Sequence, residues 1–152
     1  SMEPNLYDGQ RLIVDKLTYR FRPPAQGEIV VIRPKDPSKK FVKRVIATAG
    51  QNVRIHNGKL QINGLTVNEP YILEEMDSDY EWTVIPEDTV FVMGDNRNRS
   101  MDSRDERNVG FVPLKDVIGR AVVVYWPPKD MRIIKTPEIK GEFEFNNIGF
   151  GY

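Results

Sequence analysis

The sequence predicts a mostly β fold of antiparallel sheets, barrel-like or arranged as paired sheets, with few short helices. Three observations indicate this class. Short apolar runs rich in β-branched residues recur along the chain, and such residues favour strands. The 11 glycines and 11 prolines lie mostly between these runs. No long stretch has the period of an amphipathic helix.

The first predicted strands cover residues 11–16, 28–33 and 41–47, where β-branched residues dominate. Apolar and polar residues then alternate on both sides of Asn57-Gly58. This pattern predicts a hairpin, because both turn positions tolerate a positive φ. Asn63-Gly64 repeats the signal a few residues later.

The remaining predicted strands cover residues 89–93 and 117–126, and Pro127-Pro128 closes the second of them. We expect a catalytic domain over residues 1–134 and a C-terminal tail of uncertain role over residues 135–152. Within this tail, residues 142–145 alternate like an edge strand.

Composition excludes several function classes. The chain has 152 residues, enough for one domain, with 22 basic and 22 acidic residues and a formal net charge of zero. Without a net positive charge, we expect no nucleic-acid partner. The absence of cysteine excludes disulfides and thiolate metal sites, and we expect no metal and no cofactor. The apolar run 121–126 is far shorter than the roughly 18 residues of a membrane span.

A lysine lies in the middle of the predicted buried strand 41–47. Burial disfavours the charged form of Lys43, and a neutral amine can act as a general base. Because the chain has no cysteine and one histidine, Lys43 is the simplest base for hydrolytic chemistry, and Ser1 is the expected nucleophile. The alternative is a lysine whose ammonium group reaches past the strand into solvent.

Three ordered motifs resemble those of bacterial type I signal peptidases. Residues 1–6, Ser-Met-Glu-Pro-Asn-Leu, resemble the nucleophile motif Ser-Met-x-Pro-Thr-Leu, and residues 41–47 resemble the lysine motif. Residues 94–104 match the motif Gly-Asp-Asn-Arg-x-x-Ser-x-Asp-Ser-Arg at every fixed position. The resemblance extends from Ser1 to about Trp126.

The resemblance implies a membrane-anchored serine endopeptidase with a Ser-Lys dyad and a largely β catalytic domain. Such an enzyme removes signal peptides from exported preproteins after a small-x-small motif, at the extracytoplasmic face of a membrane. Its implied partners are the signal-peptide region of preproteins and the membrane surface. It would meet the membrane through an N-terminal anchor and an extended apolar surface.

The resemblance also implies roles for single residues. Ser1 would attack the scissile carbonyl and Lys43 would take its proton. Ser100 would hydrogen-bond the lysine amine, and Asp102 and Arg104 would form a buried ion pair that braces the loop. Apolar positions that line the family's substrate pockets correspond to Met2, Leu6, Leu12, Val31 and Val42.

Other polar residues of the third motif have a simpler interpretation. Asp95, Asn96 and Ser103 are typical of a turn whose side chains satisfy its own backbone. We therefore expect them to be structural.

The chain departs from the family's pattern at several positions. Asn5 replaces threonine, Gln10 and Gln51 replace aspartates, and Ala49 replaces a proline. The family's oxyanion hole uses the backbone N–H of the nucleophile, whereas a chain starting at Ser1 carries an amine there and lacks the anchor expected before it. Removing one oxyanion donor costs about 10²–10³ in rate, so we expect a weak or inactive enzyme.

Two rival interpretations remain open at this point. One is a self-cleaving Ser-Lys protease of the SOS-repressor type, and the other is a non-catalytic β-rich binding module. Modification of Ser1 by a serine-reactive acylating inhibitor, abolished by Lys43→Ala, would distinguish a peptidase from a binding module.

Overall fold

The fold is given by a computed structural model of the chain and is described for residues 1–142. It is mostly β, which confirms the predicted class. Twelve strands make up the described part of the chain: β1 Arg11–Asp15, β2 Ile29–Ile32, β3 Phe41–Thr48, β4 Asn52–His56, β5 Lys59–Ile62, β6 Leu65–Val67, β7 Tyr80–Val84, β8 Thr89–Met93, β9 Val112–Pro113, β10 Val117–Trp126, β11 Arg132–Ile133 and β12 Gly141–Glu142.

The strands form two sheets in which every pairing is antiparallel. The first sheet has the order β1-β10-β2-β3-β8-β9, with β11 paired to β10, and the second has the order β12-β6-β5-β4-β7. Among the strands of residues 1–142, no pairing closes either sheet into a barrel. The arrangement is therefore that of two open sheets.

The helical content between residues 1 and 142 is limited to four short 3₁₀ turns, at Thr18–Arg20, Arg97–Arg99, Leu114–Asp116 and Pro128–Asp130. Few short helices were predicted, and this is confirmed. In this same range, no helix has the length and apolar character needed to cross a membrane.

The predicted hairpin forms between β4 and β5. Asn57 and Gly58 at its turn have φ values of 50° and 80°, the left-handed region that a type I′ turn requires. The Asn63-Gly64 turn between β5 and β6 repeats this geometry with φ values of 52° and 84°.

Three strands were not predicted. β7 carries a charged residue and is largely exposed, so its sequence lacks the apolar run that identified the others. β9 and β11 have two residues each, too few for any period to show. The edge strand expected over residues 142–145 begins as β12, and residues 143–145 lie outside the described part of the chain.

A shared core joins the two sheets. Ile46 and Phe91 from the first sheet pack against Val53 and Leu60 from the second, and all four are almost fully buried. Burial of such a side chain stabilises the fold by about 1.5–3 kcal/mol. The core therefore fixes β3 and β8 relative to the second sheet.

A smaller cluster attaches the start of the chain to the first sheet. Met2 and Leu6 are buried against Ile29 of β2 and Val124 of β10. Because these two side chains are four positions apart, the segment between them is held down at both ends. This packing sets the position of Ser1.

Residues 135–142 pack on the same body. Ile139 contacts the shared core, and β12 pairs with β6. The division of the chain at residue 134 stays a prediction.

Candidate active site

Strand β3 buries the lysine that the sequence singled out. Lys43 is 3% exposed and pairs with Val30 of β2. Its Nζ donates a hydrogen bond to Ser100 Oγ at 3.0 Å and lies 5.3 Å from the centre of the Phe41 ring. The lysine therefore does not reach past the strand into solvent.

Burial changes the acid–base chemistry of this amine. It lowers the pKa of Lys43 from 10.5 to about 8, while the carboxylate of Asp102 raises it and the guanidinium of Arg104 lowers it further. At pH 7, a pKa of about 8 leaves roughly a tenth of the lysine neutral, compared with about 0.03% at the usual value. The site can thus supply a neutral amine under physiological conditions.

Ser1 lies in the same cavity as this amine. The cavity has a volume of about 310 Å³, and both Ser1 and Lys43 line it. The carbonyl of Ser1 accepts a hydrogen bond from Asn96 N at 2.8 Å. Within residues 1–142, no hydrogen bond joins Ser1 Oγ to Lys43 Nζ, and such bonds often tighten only when substrate is bound.

Residues 94–104 form a loop that contacts the lysine amine through Ser100, and we name this loop the support loop. Ser100 Oγ accepts a second hydrogen bond from Gly94 N at 3.1 Å. Asp102 Oδ2 accepts from the same N–H at 3.1 Å. Arg104 binds Asp102 at two points, at 2.9 and 2.8 Å, and its Nη2 donates to the carbonyl of Arg97 at 2.6 Å. The loop is thereby cross-linked to itself around Ser100.

Gly94 allows the close approach of three parts of the site. A Cβ at this position would lie 2.6 Å from the carbonyl oxygen of Ser1 and 2.7 Å from Ser100 Cβ, and would overlap Ser100 Oγ. No side chain fits there, so glycine is required for the start of the chain and Ser100 to meet.

Arg44 and Asp95 form a buried ion pair that sequence reasoning missed. Arg44 Nε and Nη2 donate to Asp95 Oδ1 and Oδ2 at 2.8 and 2.7 Å, and the two residues are 2% and 0% exposed. The guanidinium also lies 4.4 Å from the centre of the Tyr71 ring. The available signal was the Lys43-Arg44 pair inside an apolar strand, because neighbouring residues of a strand face opposite sides.

The turn interpretation of Asp95 and Ser103 is therefore wrong. Asp95 binds Arg44 instead of its own backbone, and Ser103 Oγ accepts from Val92 N at 2.9 Å. The side chain of Asn96 does not cap the following turn, and its Oδ1 has no hydrogen-bond partner within residues 1–142. The side chains of Asp95 and Ser103 thus bind parts of the molecule beyond their own turn, and Asn96 does so through its backbone N–H, which donates to the carbonyl of Ser1.

The predicted substrate-binding residues are only partly brought together. Met2, Leu6, Leu12 and Val42 line the cavity with Ser1 and Lys43, whereas Val31 does not. Val31 pairs with Val42 from the neighbouring strand and is 9% exposed, so it lies one strand away from the cavity. Sequence reasoning missed six other lining residues: Tyr7, Asp8, Gly9, Gln10, Lys40 and Phe41.

A second and larger groove, of about 1060 Å³, shares residues 6–10 with this cavity but is lined by neither Ser1 nor Lys43. Among residues 1–142, no cluster of three or more His, Asp or Glu side chains could hold a metal ion. The chemistry available in the described site is that of a serine hydroxyl and a buried amine.

Ser1 and the buried Lys43 thus line one cavity. The chain belongs to the signal peptidase family: the family model described as signal peptidase, peptidase S26, matches residues 1–126. This confirms the resemblance carried by the three motifs.

Curated relatives agree with this assignment. The chain is 42% identical over 133 residues to a probable signal peptidase I-2 of Synechocystis sp., covering 84% of this chain and 60% of the relative. It is 40% identical over 136 residues to a probable thylakoidal processing peptidase 2 of Arabidopsis thaliana, covering 84% and 36%. The chain thus spans less than two thirds of the length of these relatives.

A solved structure shares the fold. The crystal structure of a signal peptidase I from Enterococcus faecalis superposes with a TM-score of 0.56 at 29% identity, covering 64% of this chain and 95% of that one.

Proposed function

We propose that this chain is the catalytic part of a serine endopeptidase that cleaves signal peptides from exported preproteins. The observation that carries the proposal is the buried amine of Lys43 in the cavity that Ser1 also lines. Family membership makes signal peptides the expected substrate class. It also favours this function over self-cleavage of the SOS-repressor type.

In the proposed reaction, Ser1 Oγ attacks the scissile carbonyl while Lys43 Nζ accepts the hydroxyl proton. The ammonium group then gives a proton to the leaving amine, and an acyl-enzyme on Ser1 remains. Water attacks this ester with Lys43 again acting as base, which releases the acid and restores the serine.

Ser100 orients the base. A neutral amine has two N–H bonds and one lone pair. Because one N–H is donated to Ser100 Oγ at 3.0 Å, rotation of the amine is restricted and its lone pair is available for the proton of Ser1. Asp102 and Arg104 hold Ser100 in place through the Gly94 N–H that Ser100 and Asp102 share.

Four apolar side chains form the proposed binding pocket. Met2, Leu6, Leu12 and Val42 line the cavity of about 310 Å³ that Ser1 and Lys43 also line, and we expect their apolar walls to receive small side chains of the substrate. Val31 lies beside Val42 on the neighbouring strand. An extended substrate would place alternate side chains in this cavity, consistent with cleavage after a small-x-small motif.

We also infer that the domain works against a membrane on its extracytoplasmic side. Ile13 and Ile133 are exposed and both pair with Val123 of β10, so they lie in one row across three strands. Tyr125, two residues further along β10, is also exposed. Co-sedimentation with phospholipid vesicles tests this inference, which fails if Ile13→Ser and Ile133→Ser together leave binding unchanged.

The function is tested with a precursor peptide that carries a small-x-small site. We expect cleavage after the second small residue, and a loss of at least ~10³-fold in Ser1→Ala and in Lys43→Met, because both dyad members are needed. Lys39→Met is the matched control, since Lys39 is exposed on the loop before β3.

The assay is run on residues 1–152 and on a form extended upstream of Ser1. No cleavage by either form, or full activity of Lys43→Met, would refute the proposed function.

A further inference from the structure

The segment that carries Ser1 has little regular structure of its own. Before β1 begins at Arg11, its local backbone hydrogen bonds are those of tight turns, such as Asn5 N and Leu6 N to the carbonyl of Met2 at 2.9 and 3.1 Å. Burial of Met2 and Leu6 holds the segment down. Apolar packing is non-directional, so it does not by itself fix where the hydroxyl of Ser1 points.

The side chain of Asn5 supplies a directional contact. Its Nδ2 donates one hydrogen bond to the carbonyl of Tyr71 at 2.6 Å and another to Asp95 Oδ2 at 2.8 Å. Both N–H bonds of the amide are therefore used, on acceptors 66 and 90 positions away along the chain. The backbone carbonyl of Asn5 also accepts from Arg132.

The acceptor on Asp95 is itself rigidly held. Asp95 is fully buried and bound at two points by Arg44, the residue that directly follows Lys43 on β3. A carboxylate held by a bidentate guanidinium has a fixed orientation. Through Asp95 and Arg44, the side-chain amide of Asn5 is therefore held at a fixed position relative to β3, the strand that carries Lys43.

The same loop contacts both halves of the dyad. Asn96 N binds the carbonyl of Ser1 at 2.8 Å, and Ser100 Oγ binds Lys43 Nζ at 3.0 Å. Asp95, between Gly94 and Asn96, receives Asn5. The support loop therefore holds the nucleophile segment at Ser1 and at Asn5.

We propose that Asn5 is a positioning residue for the nucleophile, whose side-chain amide fixes the Ser1 segment to the support loop in register with Lys43. This proposal rests on the proposed function, since it concerns the same reaction. Misplacement of a reacting group by about 1 Å can lower the rate ~10²-fold. Loss of a directional contact four residues from Ser1 should therefore act on the chemical step.

The residue type fits this role. An amide has two N–H donors, whereas a threonine hydroxyl at the same position has one donor. With threonine, either the Tyr71 carbonyl or Asp95 Oδ2 would lose its hydrogen bond from residue 5. Asn5→Thr should consequently keep part of the positioning of Ser1 that Asn5→Ala removes.

The experiment compares kcat and KM for cleavage of the precursor peptide, per mole of enzyme titrated with a serine-reactive acylating inhibitor. Asn5→Ala should lower kcat about 10–100-fold with KM within about threefold, because the pocket residues Leu12 and Val42 are untouched and Met2 and Leu6 stay held by their apolar packing. Asn5→Thr should fall between Asn5→Ala and the unsubstituted chain.

Asn108→Ala is the matched control. Asn108 Nδ2 also donates to an aspartate, Asp105 Oδ2, at 2.8 Å, but it is exposed and makes no contact with Ser1 or Lys43. Its kcat should be unchanged.

The outcomes separate the two proposals. If the unsubstituted chain cleaves and Ser1→Ala does not, the function stands. The positioning role alone is then overturned if the kcat of Asn5→Ala is within twofold of that of the unsubstituted chain, or if its loss of kcat/KM comes entirely from a higher KM. If Asn5→Ala does not fold, an Asn5→Thr variant with unchanged kcat overturns it instead. If the unsubstituted chain does not cleave in either form, the function and the positioning role both fail.

Discussion

Replacing Lys43 by methionine should make the protein more stable while abolishing its activity. Methionine has a similar length and no charge, so it fills the site without a group that must be desolvated. In the native chain, burial lowers the pKa of Lys43 from 10.5 to about 8. At ~1.4 kcal/mol for each pH unit, the charged form of this lysine destabilises the fold by about 3 kcal/mol.

The sign and pH window follow from proton binding. A lysine whose pKa is lower in the folded than in the unfolded protein binds fewer protons when folded, between about pH 8 and 10.5. The free energy of unfolding therefore rises with pH across this window. Below pH 8 the full destabilisation is present, and above about pH 10.5 it is absent.

Urea unfolding at several pH values measures this effect. At pH 7, Lys43→Met should be more stable than the unsubstituted chain by about 3 kcal/mol, or roughly 10 °C in Tm for a chain of this size. The difference should shrink as the pH rises from 8 to 10.5. Lys39→Met, at an exposed position, should show no such difference. A Lys43→Met variant that is less stable at pH 7, or whose advantage does not change with pH, would refute the reasoning.

Two other substitutions probe the support loop. Because the Arg104 guanidinium lowers the pKa of Lys43 and the Asp102 carboxylate raises it, Arg104→Gln should move the pH–rate profile of kcat/KM from an apparent pKa of about 8 to a higher value. The rate at pH 7 should fall about tenfold for each unit of this change and recover at alkaline pH. Adding Asp102→Asn to the Arg104→Gln variant should restore the original pH–rate profile. Arg107→Gln, at an exposed position of the segment that follows, is the control and should leave the profile unchanged. An Arg104→Gln profile identical to that of the unsubstituted chain would contradict the electrostatic argument. Gly94→Ala should destabilise the fold by about 1–3 kcal/mol and lower kcat at least tenfold, since its Cβ would lie 2.6 Å from the Ser1 carbonyl. Thermal unfolding and peptide cleavage check this, and a variant matching the unsubstituted chain in both would show that the loop can move away.

The elements that could be predicted are those with a local pattern. β3 and β10 are long, apolar and β-branched, and the Asn57-Gly58 turn has its own sequence signature. Tyr80–Val84 has no such pattern, because its residues are half-buried or exposed at a sheet edge. Its pairing with β4 depends on tertiary contacts that a local reading does not contain.

In the site, too, the features with a local sequence pattern could be predicted, and those that depend on tertiary contacts could not. A lysine inside an apolar strand is visible in the sequence, so Lys43 could be identified from its neighbours. The Arg44–Asp95 ion pair joins residues 51 positions apart, and the bonds of Asn5 span still larger separations. Such partners are set by how the sheets and loops fold together. Asp95 was accordingly interpreted as a turn residue, although it is the acceptor on which two other segments converge.

The two neighbouring cations of β3 differ in what faces them, and this difference decides their chemistry. Arg44 meets the carboxylate of Asp95 directly, at 2.8 and 2.7 Å. Lys43 meets the uncharged hydroxyl of Ser100 at 3.0 Å, while Asp102, the carboxylate with the largest effect on Lys43, is bound by Arg104. A carboxylate in direct contact with Lys43 would favour its charged form and raise its pKa. Because a hydroxyl occupies that place, the buried amine can lose its proton near neutral pH, and the same contact still fixes its orientation toward the cavity that Ser1 shares.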